Sequence, residues 1–216
     1  MMVSADNDPR RAGTIWALDL VEPISPLAAR IPAAFQRLES GSLPALSSNL
    51  DGEAAAEFGR RLAAGKRSYA ACVAGGLAAY GWVSFGEEFV GELNLRLHLL
   101  PGEAYIWDCA TLPAFRRNRL YSALLSYIVA QLRQEGLHRV WIGADLDNLP
   151  SQRGIARAGF RHVADLLIER VLAMRLAWVQ GCPGVAEPLV AEARRVFLDN
   201  RDQVWLEALS ASLRDR

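Results

Sequence analysis

The chain has 216 residues, 24 basic against 24 acidic side chains and a hydrophobic content of 51%. That balance excludes an intrinsically disordered chain and disfavours bulk electrostatic binding to nucleic acid, and the length allows one large domain, or one domain with an accessory helix. The cysteines Cys72, Cys109 and Cys182 lack Cys-x-x-Cys spacing, which argues against a zinc site or disulfide framework, and no run of about 18 apolar residues or signal-peptide core is present, so a soluble cytoplasmic chain without a membrane or nucleic-acid partner is expected.

In chain order, residues 1–12 form a loose tail. Thr14 to Val21 is apolar apart from Asp19 and precedes Pro23, which predicts a first strand. Ser25 and Pro26 supply a cap and a first-turn proline for a helix to about Leu38, which Pro32 should kink or restart. A loop follows over residues 40–52. A second helix is predicted from Asp51 to Ala64, with Ala54, Ala55, Phe58 and Leu62 on one side. Ser68 to Val73 and Leu77 to Phe85 flank Gly75-Gly76 as a hairpin. Gly86 to Glu92 is a loop bearing Glu87, Glu88 and Glu92. Asn94 to Leu100 alternates Leu95, Leu97 and Leu99 with Arg96 and His98. Pro101-Gly102 then turns the chain back into Tyr105 to Thr111 as a second hairpin.

Tyr105 to Thr111 suits a buried strand, ended by Leu112-Pro113. Arg116, Arg117 and Arg119, around Asn118, stand where the next helix opens. Leu120, Leu124, Ile128 and Leu132, with Leu125 and Val129, give that helix one broad apolar face, and Gly136 is its stop. Val140 to Ala144 resumes as a strand, which makes a right-handed βαβ unit with parallel strands. A helix start after a buried strand presents free N–H groups and the positive end of the helix dipole, so with three arginines it forms an anion seat; a solvated basic turn is the plainer alternative. Arg161 to Leu167 and Arg170 to Val179 predict one or two more strands. Gly181 to Gly184 is a short linker. Ala186 to Leu213 predicts a helix carrying Val190, Ala193, Phe197, Val204 and Ala208 on one side, to pack on the sheet or on a second subunit in a homodimer. The expected fold is α/β (α+β), a mixed and mostly antiparallel sheet with a central parallel βαβ unit flanked by helices. Its domain covers residues 13–180, with linker and C-terminal helix over 181–216.

The ordered set of a strand ending in Pro113-x-Phe115-Arg116, a helix opening Leu120-Tyr121-Ser122-Ala123-Leu124-Leu125, Asn148-x-x-Ser151 and Ala158-Gly159-Phe160 resembles the GNAT superfamily of N-acetyltransferases over residues 103–162. The resemblance implies acetyl-CoA as co-substrate. The backbone of Cys109, Ala110, Thr111 and Leu112 would grip its pantetheine arm, Arg116 with the 117–122 backbone (Arg117, Asn118, Arg119, Leu120, Tyr121, Ser122) would take the pyrophosphate, and Asn148 and Ser151 would hold the arm. It departs from the family signature in two ways. Arg119 and Tyr121 replace the two glycines that let phosphate approach bare backbone, and Ile155 replaces a tyrosine that protonates the departing thiolate in many members.

Acetyl transfer to an amine needs a base, and Asp108, Glu103 and Glu92 are the candidates, Asp108 first because burial within an apolar strand would raise its pKa. Tyr121 is a substitute acid. Cys109 reads as a small hydrophobe, since a nucleophilic role would need a lowered thiol pKa. The tryptophans fall one per predicted element, as core residues do. The expected function is acetyl-CoA-dependent transfer to a primary amine of a small-molecule or protein acceptor, by direct attack on the thioester. The alternatives are a non-catalytic acyl-CoA sensing module or an interaction subunit on the same fold.

Overall fold

The computed structural model describes residues 10–21, 25–39, 41, 50–90, 95–171 and 174–198. Among the described residues ten strands and four α-helices follow one another as β1 (Arg10–Asp19), β2 (Ala34–Leu38), α1 (Gly52–Ala63), β3 (Arg67–Val73), β4 (Gly76–Ser84), β5 (Glu87–Val90), β6 (Leu95–His98), β7 (Glu103–Thr111), α2 (Leu120–Gln134), β8 (Arg139–Asp145), α3 (Leu149–Arg157), β9 (Arg161–Val171), β10 (Met174–Gly181) and α4 (Glu187–Phe197). Eight strands form one sheet in the order β10-β9-β1-β8-β7-β4-β3-β2, while β5 and β6 pair separately. Within the large sheet β7 and β8 are parallel and the other neighbours antiparallel, so the mixed, mostly antiparallel architecture stands as expected.

The strongly periodic stretches form what their pattern predicts. Leu120, Leu124, Leu125, Ile128, Val129 and Leu132 are all buried against one sheet face, together with Ile155 and Phe160 from α3 and the turn after it. The N–H of Ala54 donates to Asp51 Oδ1 at 2.8 Å, which caps α1, and Phe58 and Leu62 bury against Trp82. On the opposite face, α4 and Leu97 of β6 pack with Tyr105, Trp141 and Val163.

Four expectations are corrected. Residues 25–33 carry no helix, and Ala34–Leu38 is instead the strand β2, paired with β3. Pro32 withholds a helical N–H, and the otherwise open edge of β3 offers its neighbours ladder hydrogen bonds. The stretch Glu87–Val90 is a strand rather than a loop, and its partner is β6. The second hairpin therefore does not form. Pro101-Gly102 does reverse the chain, but both edges of β7 are taken by β4 and β8, so β6 turns to β5. The first strand begins at Arg10, inside the stretch expected to be tail, and inserts between β8 and β9. The C-terminal helix runs Glu187–Phe197; Val204, Ala208 and Leu213 lie outside the described residues. Among the described residues, no helix is long and apolar enough to cross a membrane.

Candidate active site

Parallel pairing of β7 with β8 covers only Glu103–Ile106 against Arg139–Ile142. Beyond Ile106, β7 follows β4 through a bulge: Tyr80 faces Ala110 and Trp82 faces Trp107, so β7 has one residue more than its partner. Asp108 takes the left-handed conformation there, with φ 41°. A bulge bends and over-twists its strand, and here it carries β7 away from β8. The gap is a cleft of about 680 Å³, lined by Trp107, Asp108 and Cys109 on one side and Gly143, Ala144 and Asp145 on the other. Gly81 makes the bulge possible, because a Cβ on it would stand 2.8 Å from Cys109 Sγ.

The turn after β7 leads into α2. Arg116, Arg117 and Arg119 are exposed. Arg116 Nε donates to the Thr111 carbonyl at 3.3 Å, and Asn118 Nδ2 donates to the Phe115 and Arg116 carbonyls at 3.1 and 3.3 Å. The backbone N–H of Arg30 bonds the Asn118 carbonyl at 2.8 Å, so the irregular segment before β2 braces the turn. Arg117 and Arg119 have φ of 66° and 59°, and α2 begins on Arg119 without a side-chain cap. Left-handed backbone costs a non-glycine residue roughly 1–2 kcal/mol. Arg119 thus adopts a left-handed backbone of the kind that favours glycine and adds a guanidinium.

The second departure is accommodated differently. The Tyr121 ring lies across Gly154 of α3, where a Cβ would come within 2.4 Å of its Cδ1. Its hydroxyl is 3.1 Å from Ser151 Oγ, and Ser151 N donates to Oδ1 of Asn148, the cap of α3. Tyr121, Asn148 and Ser151 all line the cleft. Burial, then the neighbouring Cys109, pushes the Tyr121 phenol above its ordinary value, so it holds its proton at any physiological pH. Ile155, next to Gly154, is fully buried in the core.

The acids divide sharply. Asp108 is exposed rather than buried and is paired with Arg61 of α1, whose guanidinium also meets Glu57 at 2.8 Å and stacks 4.9 Å from the Trp107 ring. The expected burial of Asp108 fails because the bulge rotates it out of the strand's inward alternation. Glu103 is buried at the far end of β7, where Arg195 Nη2 reaches it at 2.6 Å and the Leu100 N–H at 2.8 Å; it is outside the cleft. Glu92 lies outside the described residues. Burial, then Asp108, pushes the Cys109 thiol well above its ordinary value, which keeps it un-ionised.

Three charged cleft residues were not singled out as candidates from sequence, Arg61, Glu88 and Asp145. The Glu88 carboxylate is buried, accepts from the Ser84 hydroxyl and from Lys66 Nζ at 2.5 Å, and Trp107 Nε1 donates to the same Ser84 Oγ at 2.8 Å. The signal was the period of two. Glu88 pairs across the ladder with the buried Leu97, so it faces inward once β5 is recognised as a strand.

The model of the acetyltransferase (GNAT) family matches residues 44–160, more than half of the chain. No curated protein matches it. Among solved structures, a GNAT-family acetyltransferase from Colwellia psychrerythraea superposes with TM-score 0.51 at 14% identity, covering 82% of this chain and 59% of that one. A putative GNAT-family acetyltransferase from Novosphingobium aromaticivorans gives TM-score 0.45 at 17% identity, over 75% of this chain and 65% of that one. A predicted acetyltransferase from Clostridium acetobutylicum, solved with acetyl-CoA, gives 0.40 at 17% identity, over 60% and 90%. The chain therefore spans less than two thirds of the length of the first two, and at such identities the likeness concerns the fold alone. Because the family match covers more than half of the chain and takes in the whole parallel βαβ unit, the chain belongs to the acetyltransferase (GNAT) family.

Proposed function

We propose that the chain transfers the acetyl group of acetyl-CoA to a cationic primary amine, which attacks the thioester carbon directly once it has lost a proton. The observation that carries this reading is the bulge at Asp108, which opens a cleft between parallel strands that reaches Tyr121 in the first turn of the uncapped α2. The pyrophosphate would sit on the 117–122 backbone, where the helix dipole and Arg116, Arg117 and Arg119 favour negative charge. The pantetheine arm would run along Cys109 to Leu112, beside Asn148 and Ser151, and bring the thioester to the splayed strand ends.

The cleft lining holds three carboxylates, of which Asp108 is paired with Arg61 and Glu88 with Lys66, leaving Asp145 as a net negative charge. That imbalance draws an ammonium acceptor and supplies bases for its proton, directly or through water. In the transfer step the amine nitrogen bonds to the carbonyl carbon, its excess proton passes to a carboxylate, and backbone N–H groups at the bulge hold the developing oxyanion. The C–S bond then breaks. Tyr121, protonated and facing the cleft from α2, gives its proton to the departing thiolate and regains one from solvent. It thereby takes over the task of the tyrosine that Ile155 displaces one residue from Gly154.

Release of free CoA thiol, followed with a panel of mono- and polyamines, tests the transfer, with acetyl-CoA thermal shift run in parallel. Amine-dependent thiol release, abolished when the amine is replaced by the corresponding alcohol, is expected. A raised midpoint without thiol release from any amine would leave a sensing module, and no shift at all would remove the coenzyme from the reading.

A further inference from the structure

Away from the cleft lining, three residues of different donor chemistry converge: an imidazole nitrogen of His162, a carboxylate oxygen of Asp165 and Sγ of Cys182 all lie within 4.8 Å of one another. We propose that they bind one zinc ion, with a water molecule as fourth ligand. The convergence is a product of the fold. In the β1–β9 ladder, Ile15 faces Ala164 and Trp16 faces His162, so Val163 is an extra residue and β9 bulges there. In regular β-structure His162 and Asp165, three apart, would point to opposite faces. The bulge puts both on the face of their cross-strand partners Trp16 and Thr14. The neighbouring strand β10 sets Gln180 opposite Asp165 and Gly181 opposite Ala164, which delivers Cys182 to the same place as the strand ends.

Each arm is already held. The His162 ring stacks on Trp16 with centroids 4.8 Å apart, and its Nε2 is 3.0 Å from Asp165 Oδ1. Cys182 N donates to the Val163 carbonyl at 2.9 Å, tying the strand end to the bulge itself. Zinc bond lengths near 2.0–2.1 Å to N or O and 2.3 Å to S place tetrahedral ligands about 3.3–3.6 Å apart. The His162–Asp165 pair is within reach of that spacing, and the thiol, no farther than 4.8 Å from either, has at most about 1.2 Å to close. Asp165 is buried, while His162 and Cys182 are partly exposed, which leaves an entry path and room for the water. A mixed sulfur, nitrogen and oxygen set suits borderline zinc better than magnesium or calcium, which prefer oxygen alone. Binding would displace the thiol proton and pin the end of β10, where the chain leaves for α4, to β9.

The test uses the full chain, stripped with chelator and dialysed against zinc or, separately, cobalt. About one equivalent of zinc should remain per chain, and cobalt should give visible tetrahedral bands with a thiolate charge-transfer band in the near ultraviolet. Zinc but not magnesium should raise the unfolding midpoint. Cys182→Ser should lose the charge-transfer band and weaken zinc binding at least about tenfold, the typical cost of disturbing such a shell. Asp165→Asn should weaken it too while the charge-transfer band survives at saturating cobalt. Metal-free Cys182→Ser with the midpoint of the metal-free wild type establishes that its fold is intact; if that variant unfolds, the cobalt band of Asp165→Asn decides alone. Zinc retained well below stoichiometry by the wild type, or equal zinc uptake by wild type and Cys182→Ser, would overturn the proposal.

Discussion

Gly154→Ala probes the contact that lets a tyrosine occupy a signature glycine position. Gly154 is inside α3 with ordinary helical backbone, so the substitution alone should stabilise the helix by about 1 kcal/mol. In this protein the new Cβ would lie 2.4 Å from Tyr121 Cδ1 and 2.8 Å from Cε1. The ring cannot swing freely, because its hydroxyl is tied to Ser151 at 3.1 Å. Overpacking of this kind costs about 1–3 kcal/mol, so the net change in wild type is a loss of about 0–2 kcal/mol. In a Tyr121→Ala background the clash is gone and the same substitution should gain about 1 kcal/mol. The two backgrounds therefore differ by about 1–3 kcal/mol, well above the error of a urea-unfolding double-mutant cycle. Acetyl transfer should fall in Gly154→Ala as it does in Tyr121→Ala. Equal stabilisation by Gly154→Ala in both backgrounds would refute the packing argument.

Further outcomes follow from the same geometry. Tyr121→Phe keeps the ring on Gly154 and loses the hydroxyl, with its proton and its bond to Ser151, so kcat should drop by about 10²-fold or more with a smaller change in KM for acetyl-CoA; an unaltered kcat would exclude Tyr121 as the acid. Arg119→Gly should relieve left-handed strain and stabilise the fold by about 1 kcal/mol, yet weaken acetyl-CoA binding in calorimetry by about 1.5–3 kcal/mol; tighter binding would mean the guanidinium obstructs the phosphates. Burial raises the Cys109 thiol and the Tyr121 phenol in the folded chain, so both remain protonated at pH values where the unfolded chain ionises them. Stability should accordingly be full below about pH 8.5 and decline above it; burial raises the Cys72 thiol as well, so Cys109→Ala should shrink the earlier part of the decline without abolishing it and leave the phenol part near pH 10. An identical urea-midpoint profile for Cys109→Ala would count against a buried thiol.

Much of the fold was legible because its signals are local. The i, i+4 leucines of α2, the Asp51 cap and the turn after β3 act within a few residues, and the elements form where they predict. The candidate site was legible in outline for the same reason: strand, arginines and helix start are contiguous in sequence. Its acids were misjudged. Asp108 was expected buried and is exposed on a bulge, Glu103 sits at the wrong end of its strand, and Glu88 was passed over as loop. The facing of Asp108 and Glu88 turns on strand register, where a shift of one residue exchanges inside for outside, while Glu103 turns on where along β7 the cleft opens.

Composition, periodicity and turn chemistry in this chain by themselves determined a mixed sheet with a parallel βαβ unit and placed a cluster of arginines at a helix mouth. Only the tertiary structure decided that β1 inserts between β8 and β9, that Tyr121 rests on Gly154, and that His162, Asp165 and Cys182 meet. The physical reason is range. Helix turns and caps are set by neighbours a few positions away, whereas ladders, bulges and the space a missing Cβ leaves depend on which distant strand supplies the partner.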